Sequence, residues 1–151
     1  MATLQLDGAN FSGGRATFED NLPSALGRSA RVYVKIAVNG LAEPILVLLD
    51  TGAEYSVLAR EVAEDVGLDT ADGQATTIEH RGGSTPGKLI RTTVTMVADE
   101  GMSLDVDATV FVPDNGWPPG RSFIGYSGFL SHVRFALDPQ NNDIYFGGYD
   151  Q

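Results

Sequence analysis

Ile45-Leu46-Val47-Leu48-Leu49-Asp50-Thr51-Gly52-Ala53 places an ionisable carboxylate where an unbroken apolar run stops. Five consecutive apolar residues read as a strand covered on both faces, in the middle of a core. The Thr-Gly pair after Asp50 then turns the chain. Position, more than residue type, makes Asp50 informative. By average composition an Asp-Thr/Ser-Gly triplet arises in roughly one chain in twenty of this length, and the leading apolar pair and trailing Ala reduce that to about one in a thousand.

Upstream, Val32, Val34, Ile36 and Val38 alternate with Tyr33, Lys35 and Ala37, the period of a half-buried strand. Asn39-Gly40 supplies two positive-φ positions and predicts a reversal into the run at Ile45 to Leu49. Downstream, Leu58, Val62 and Val66 recur every four residues, with Ser56 placed to cap the start and Gly67 to close the end, so a helix of about three turns is expected over Leu58 to Val66. Thr76 to His80 and Lys88 to Val97 read as strands around the glycine-rich segment Arg81 to Gly87, expected to be a mobile hairpin tip. Leu104 to Val112 alternate as a further strand, stopped by Pro113 and the Asn115-Gly116 turn. A short strand Phe123-Ile124-Gly125, a brief helix at Gly128 to Val133, and strands Arg134 to Leu137 and Ile144 to Phe146 complete the pattern. Leu4 and Leu6 alternate like a strand, but Gly8, Gly13 and Gly14 break any longer run.

The chain has 151 residues, the size of one domain. Its 20 acidic against 10 basic residues give a net charge of -10, which repels nucleic-acid backbones and anionic lipid and excludes both as partners. With no cysteine there is no disulfide, thiolate metal site or cysteine nucleophile. His80 and His132 lie apart from carboxylates at ligand spacing, so neither a metal nor another cofactor is expected. Ser127 and Ser131 near His132 lack a nucleophile-elbow sequence and do not suggest a triad. Trp117 reads as a loop anchor before a substrate-stacking ring. Residues 1 to 10 lack a secretory pattern and no apolar run reaches the ~18 residues of a membrane span, giving the expectation of a cytoplasmic chain.

Peptide hydrolysis without a metal or a covalent intermediate needs two carboxyls, one to take a proton from water and one to protonate the carbonyl oxygen. This chain carries one Asp-Thr-Gly triplet; Asp69-Thr70-Ala71 lacks the glycine and Asp72-Gly73 the hydroxyl residue. A homodimer is therefore expected to supply the second Asp50. Gly52 lets the backbone approach the carboxyl pair, and Thr51 can bond from one loop to its partner.

Apolar-apolar-Asp-Thr-Gly-Ala resembles the catalytic motif of retropepsin-like aspartic proteases, and the order of elements is similar from about Arg31 to Gly147. The resemblance implies a mostly β, closed barrel-like acid-protease fold with one or two short helices. It implies Asp50, Thr51 and Gly52 as the catalytic motif. Ala53, Glu54, the flap residues Arg81, Gly82, Gly83 and Ser84, and Ile124 and Gly125 are implied as the substrate-binding set. An aspartic endopeptidase acting on peptide or unfolded protein as a homodimer follows from it, with residues 31-151 as the protease domain. Residues 1-30 are then an N-terminal extension, a dimer strand or a regulatory arm. In that family the chain ends interleave in the dimer, which gives a use for Leu4 to Leu6 and Asp143 to Tyr149. Glu54 stands where retroviral members carry Asp, Tyr126 where they carry Arg, and Arg81-Gly82-Gly83 matches the flap glycines loosely. The same residues suit a non-catalytic peptide-binding or dimerisation module of this fold, or an unrelated barrel with a chance triplet.

Overall fold

The computed structural model describes residues 3–20, 31–40, 43–115, 117 and 121–149. Gly116 of the expected turn and residues 21–30 of the N-terminal segment lie outside them. The strands are β1 (Gln5–Leu6), β2 (Ala9–Asn10), β3 (Gly14–Thr17), β4 (Tyr33–Val38), β5 (Ile45–Leu49) and β6 (Ser56–Val57), then helix α1 (Arg60–Asp65). They continue with β7 (Gln74–His80), β8 (Gly83–Met96), β9 (Glu100–Gly101), β10 (Leu104–Pro113) and β11 (Phe123–Ile124). A 3-10 turn at Leu130–His132 precedes β12 (Arg134–Asp138) and β13 (Asp143–Gly147).

Alternation in β4 puts Val34, Ile36 and Val38 at 2%, 0% and 1% exposure, with Val32 packed on the same core. Asn39 and Gly40 take φ of 56° and 73°, the left-handed pair that the dipeptide favours. β5 then runs antiparallel to β4, with Ile36 opposite Ile45. It is less covered than a wholly apolar run suggests, because Leu46 remains 43% exposed. Six strands close on themselves in the order β10-β6-β11-β5-β4-β8, the ring completed by ten antiparallel residue pairs between β8 and β10. β7 hangs outside the ring as the hairpin partner of β8. The fold is thus the mostly β closed barrel expected, filled by Ile36, Val47, Leu58, Met96, Phe129 and Phe146 among others.

Several local expectations are corrected. The hairpin turn is only Arg81-Gly82, since His80 pairs with Gly83 and Ser84 to Gly87 are strand. Gly87 is there for closeness and not for looseness: a Cβ would lie 2.4 Å from the Val112 carbonyl oxygen and 2.5 Å from Phe111 Cζ. Pro86 is tolerated because it lies just outside the β8–β10 ladder, where β8 has β7 as its neighbour. The helix is shorter than expected. Ala59 is its N-cap, and Ser56 belongs to β6, while the Ala59 N–H is satisfied from across the fold by Ser122 Oγ at 3.0 Å.

Gly14 does not interrupt a strand but starts one. A Cβ there would lie 2.2 Å from the Met102 carbonyl oxygen and 2.9 Å from Phe146 Cε2. β3 enters a four-stranded sheet of order β12-β13-β3-β9 and buries Ala16, with Phe18 buried just beyond it. β13, expected to interleave with a partner chain, has both edges filled within its own chain, by β12 and β3. Arg15 ties this sheet together through Asp143 Oδ1 at 2.7 Å and Glu100 Oε2 at 3.1 Å. Asp99 joins it to the barrel by accepting from Lys35 Nζ of β4 and from the Thr17 N–H at 2.7 Å.

Burial pushes the Asp99 carboxyl up, but the Lys35 and Thr17 hydrogen bonds and the charges of Lys35 and Arg15 outweigh it and hold the pKa below the ordinary value. A carboxyl with a lowered folded-state pKa stabilises fully above its unfolded value and ceases to as pH falls through the folded one. Asp99→Asn therefore lowers the urea midpoint at pH 7, and the gap from wild type narrows as pH falls below about 4. Urea titrations from pH 7 to pH 3 check this; a gap that stays constant overturns the assignment.

Candidate active site

Asp50 follows β5 directly, and its position is held by a strand from far along the chain. β11 lies parallel to β5, with Phe123 opposite Leu48 and Ile124 opposite Leu49, and antiparallel to β6 on its other side. The loop from Asp50 to Tyr55 therefore leaves β5, passes the end of β11 and returns as β6. The Asp50 N–H donates to the Ile124 carbonyl at 2.9 Å, and the Gly52 N–H donates to Asp50 Oδ1 at 3.0 Å. From behind, the Tyr126 and Ser127 N–H groups donate to the Ala53 and Glu54 carbonyls at 2.8 and 2.9 Å.

Gly125 is required by bulk, because a Cβ there would sit 2.2 Å from the Tyr55 carbonyl oxygen and 2.8 Å from that of Ala53. Its buried N–H donates to Ser56 Oγ at 2.9 Å, and its carbonyl accepts from the Leu130 N–H at 3.1 Å, which seats the 3-10 turn against the loop. Asp50 is half-buried, while Thr51, Gly52 and Glu54 are exposed. The loop is rigid at its back and open at its front, the arrangement a reactive carboxyl needs.

A cleft of about 490 Å³ lies between this loop and β7. Gly52, Ala53, Glu54 and Tyr55 form one wall, Thr77 to His80 the other, with Trp117 and Phe123 alongside. The β7–β8 turn is braced by His80: the Gly82 N–H donates to Nδ1 at 3.1 Å, so the neutral ring carries its proton on Nε2 and donates to Thr85 Oγ1 at 2.7 Å. Ser84 Oγ donates to Glu79 Oε1 at 3.3 Å.

Residues 34–120 match the family described as aspartyl protease, more than half of the chain. The chain belongs to the aspartyl protease family. Among solved structures it is similar to a retropepsin-like aspartic protease from Rickettsia conorii, with a TM-score of 0.57 and 20% identity over 89% of this chain and 98% of that one. Its fold is thus retropepsin-like. No sequence among the curated proteins matches.

In this aspartyl protease family chain, the structure gathers Asp50, Thr51, Gly52, Ala53 and Glu54 in one loop. Ile124 and Gly125 stand buried behind them, away from the cleft. Arg81, Gly82, Gly83 and Ser84 sit exposed at the outer end of the hairpin and do not line the cleft; the strand residues before them do. Sequence reasoning missed Ser56, which it read as a helix cap, and passed over Thr77, Ile78, Glu79 and Tyr55. No pattern in the sequence marks these residues, since their roles come from what crosses above them.

Removing the Ser56 hydroxyl leaves the buried Gly125 N–H without a partner, at a cost of about 1–3 kcal/mol. Ser56→Ala is expected to lose that much unfolding free energy, against less than about 0.5 kcal/mol for Ser84→Ala, an exposed hydroxyl. Denaturant unfolding of both variants measures it; equal losses would remove Ser56 from the bracing of the loop.

Proposed function

We propose that the protein is an aspartic endopeptidase whose active site forms between two copies of the chain, each supplying Asp50. The observation that carries this reading is the seating of the half-buried Asp50 carboxyl at a braced loop beside a cleft, in an aspartyl protease family chain with one Asp-Thr-Gly triplet. Two carboxyls brought to about 3 Å cannot both ionise and hold one proton between them. The ionised one takes a proton from water as the oxygen attacks the peptide carbon; the neutral one protonates the carbonyl oxygen. The resulting diol collapses as a proton passes to the nitrogen, the C–N bond breaks and the two peptides leave.

In this reading Thr51, exposed at the loop front, bonds across the twofold axis. Tyr126, 56% exposed and bonded through its N–H to Ala53, adds apolar surface beside it. With β13 filled on both edges, this reading centres the dimer contact on these loops. β7 has β8 as its partner on one side, so its other edge can pair with an extended peptide. In this reading Ala53 and Glu54 contact the peptide, Arg81 to Ser84 close over it as a flap, and Ile124 and Gly125 position Asp50. Residues 31–151 carry the catalytic elements, and β3 braces them from the N-terminal segment.

Wild-type protein is expected to degrade an unstructured protein such as casein, and Asp50→Asn to lower the rate by at least about 10²–10⁴-fold while sedimenting as the same folded dimer. Specific activity should fall on dilution as dimers separate. Undiminished cleavage by Asp50→Asn, or cleavage by particles that sediment as monomers, rules the proposal out. A dimer that cleaves nothing points instead to a binding module.

A further inference from the structure

We infer that the cleft walled by the loop after Asp50 is a side-chain subsite for a substrate residue with a flat aromatic ring, preferring peptides with Lys or Arg two positions away. This rests on the endopeptidase reading. Trp117 lines the cleft between its two walls. Its Nε1 donates to the Arg121 carbonyl at 2.6 Å, so the indole's single polar group is occupied by backbone and its apolar surface is left to face the cleft. The ring is held in a fixed array. Phe123 lies tilted at 45° with centroids 6.2 Å apart, and His80 meets it edge-on at 5.5 Å and 84°.

Beneath these rings a small apolar cluster of Val57, Ile78 and Phe111 is separate from the main core, so the floor is apolar and packed. A volume of about 490 Å³ holds a large side chain with its flanking backbone. Offset or edge-on contact with Trp117 and Phe123 favours an aromatic ring over an aliphatic chain of similar bulk.

The charge of the rim supplies the second half of the inference. His80 aside, the titratable carboxyls along the cleft among the described residues are Glu54 and Glu79, on opposite walls, and no Lys or Arg lines it. Both are exposed, in a chain of net charge -10. Residues two apart on an extended peptide project from the same face, so a side chain two positions from the buried ring meets this rim. A cation there is drawn to both walls and an anion repelled by both.

Trp117 is the only tryptophan in the chain, so intrinsic fluorescence reports on this cleft directly. Asp50→Asn protein, chosen to slow any cleavage during the measurement, is titrated with Ala-Ala-Phe-Ala-Lys-Ala-Ala, its Glu-for-Lys analogue and its Ala-for-Phe analogue. The first should shift the emission saturably. It should bind on the order of tenfold more tightly than the Glu analogue. The Ala-for-Phe analogue should leave the spectrum unmoved at the same concentrations. In a Glu54→Gln, Glu79→Gln background the Lys-over-Glu preference should fall below about twofold. Emission unmoved by every peptide, or equal affinities for the three, overturns the subsite. Because binding is read without turnover, failure of the wild type to cleave would sink the endopeptidase reading alone.

Discussion

β11 runs between β5 and β6, and the absence of a side chain at Gly125 permits the Tyr55 backbone to cross it. The crossing brings Ile124 within reach of the Asp50 N–H and places Gly125 against Ser56, so two segments about seventy residues apart in sequence are joined by one set of hydrogen bonds, that of the Gly125 N–H buried. Such bonds are expensive to leave unmade away from water, which makes this crossing far stiffer than an ordinary surface turn. Asp50 inherits that stiffness. Its carboxyl is aimed by backbone geometry and opens on a pocket that Arg31 also lines, while the carboxylates Glu54 and Glu79 line the cleft on the other side of the loop. Closing the barrel through β8 and β10 holds the crossing from the opposite side, because β6 also pairs with β10.

What the sequence made legible was periodicity and punctuation. Alternation in Val32 to Val38 and Leu104 to Val112, and the apolar run into Asp50, identified strands whose side-chain pattern is dictated by a single buried core. Glycine was read less well, because one residue serves two opposite purposes. Gly40 is a turn with positive φ; Gly14, Gly87 and Gly125 are crossings where a Cβ would collide with a neighbour. Nothing local separates them, since the colliding atoms belong to Met102, Phe111, Val112 and Tyr55. Ser56 fails in the same way: a serine before a helical pattern is a good cap, yet its hydroxyl goes to Gly125, and the helix starts at Ala59 with no side-chain cap. The site was legible as a motif, but its walls were not, because β7 reaches them only through the hairpin.

The four-stranded sheet beside the barrel changes what the chain ends can do. With Arg15 bound to Asp143 and Glu100, and Asp99 bound to Lys35 and Thr17, β3 is fastened to both neighbouring strands and to β4. Each pair is partly solvated and individually weak. Their effect is positional, since they join strands already paired by backbone and buried at Ala16 and Phe18. A sheet filled in this way offers no vacancy between β3 and β13 for a further strand and leaves its edges at β12 and β9.

The hairpin beside the cleft divides mechanically at Gly87. From Gly87 onward β8 is paired with β10 along its whole length, with β7 on its other side as far as Leu89 and β4 from Val94, and Gly87 is locked against Phe111. Before it, β7 and β8 form a two-stranded ribbon braced at its turn by His80, with few neighbours to resist bending. Local opening is cheapest where backbone bonds are exposed and buried apolar contacts few. Thr77 to Ser84 meet that description, except where Ile78 is buried and His80 rests on Trp117. Bending of this wall of the cleft is therefore opposed by two apolar contacts, the burial of Ile78 and the packing of His80 on Trp117.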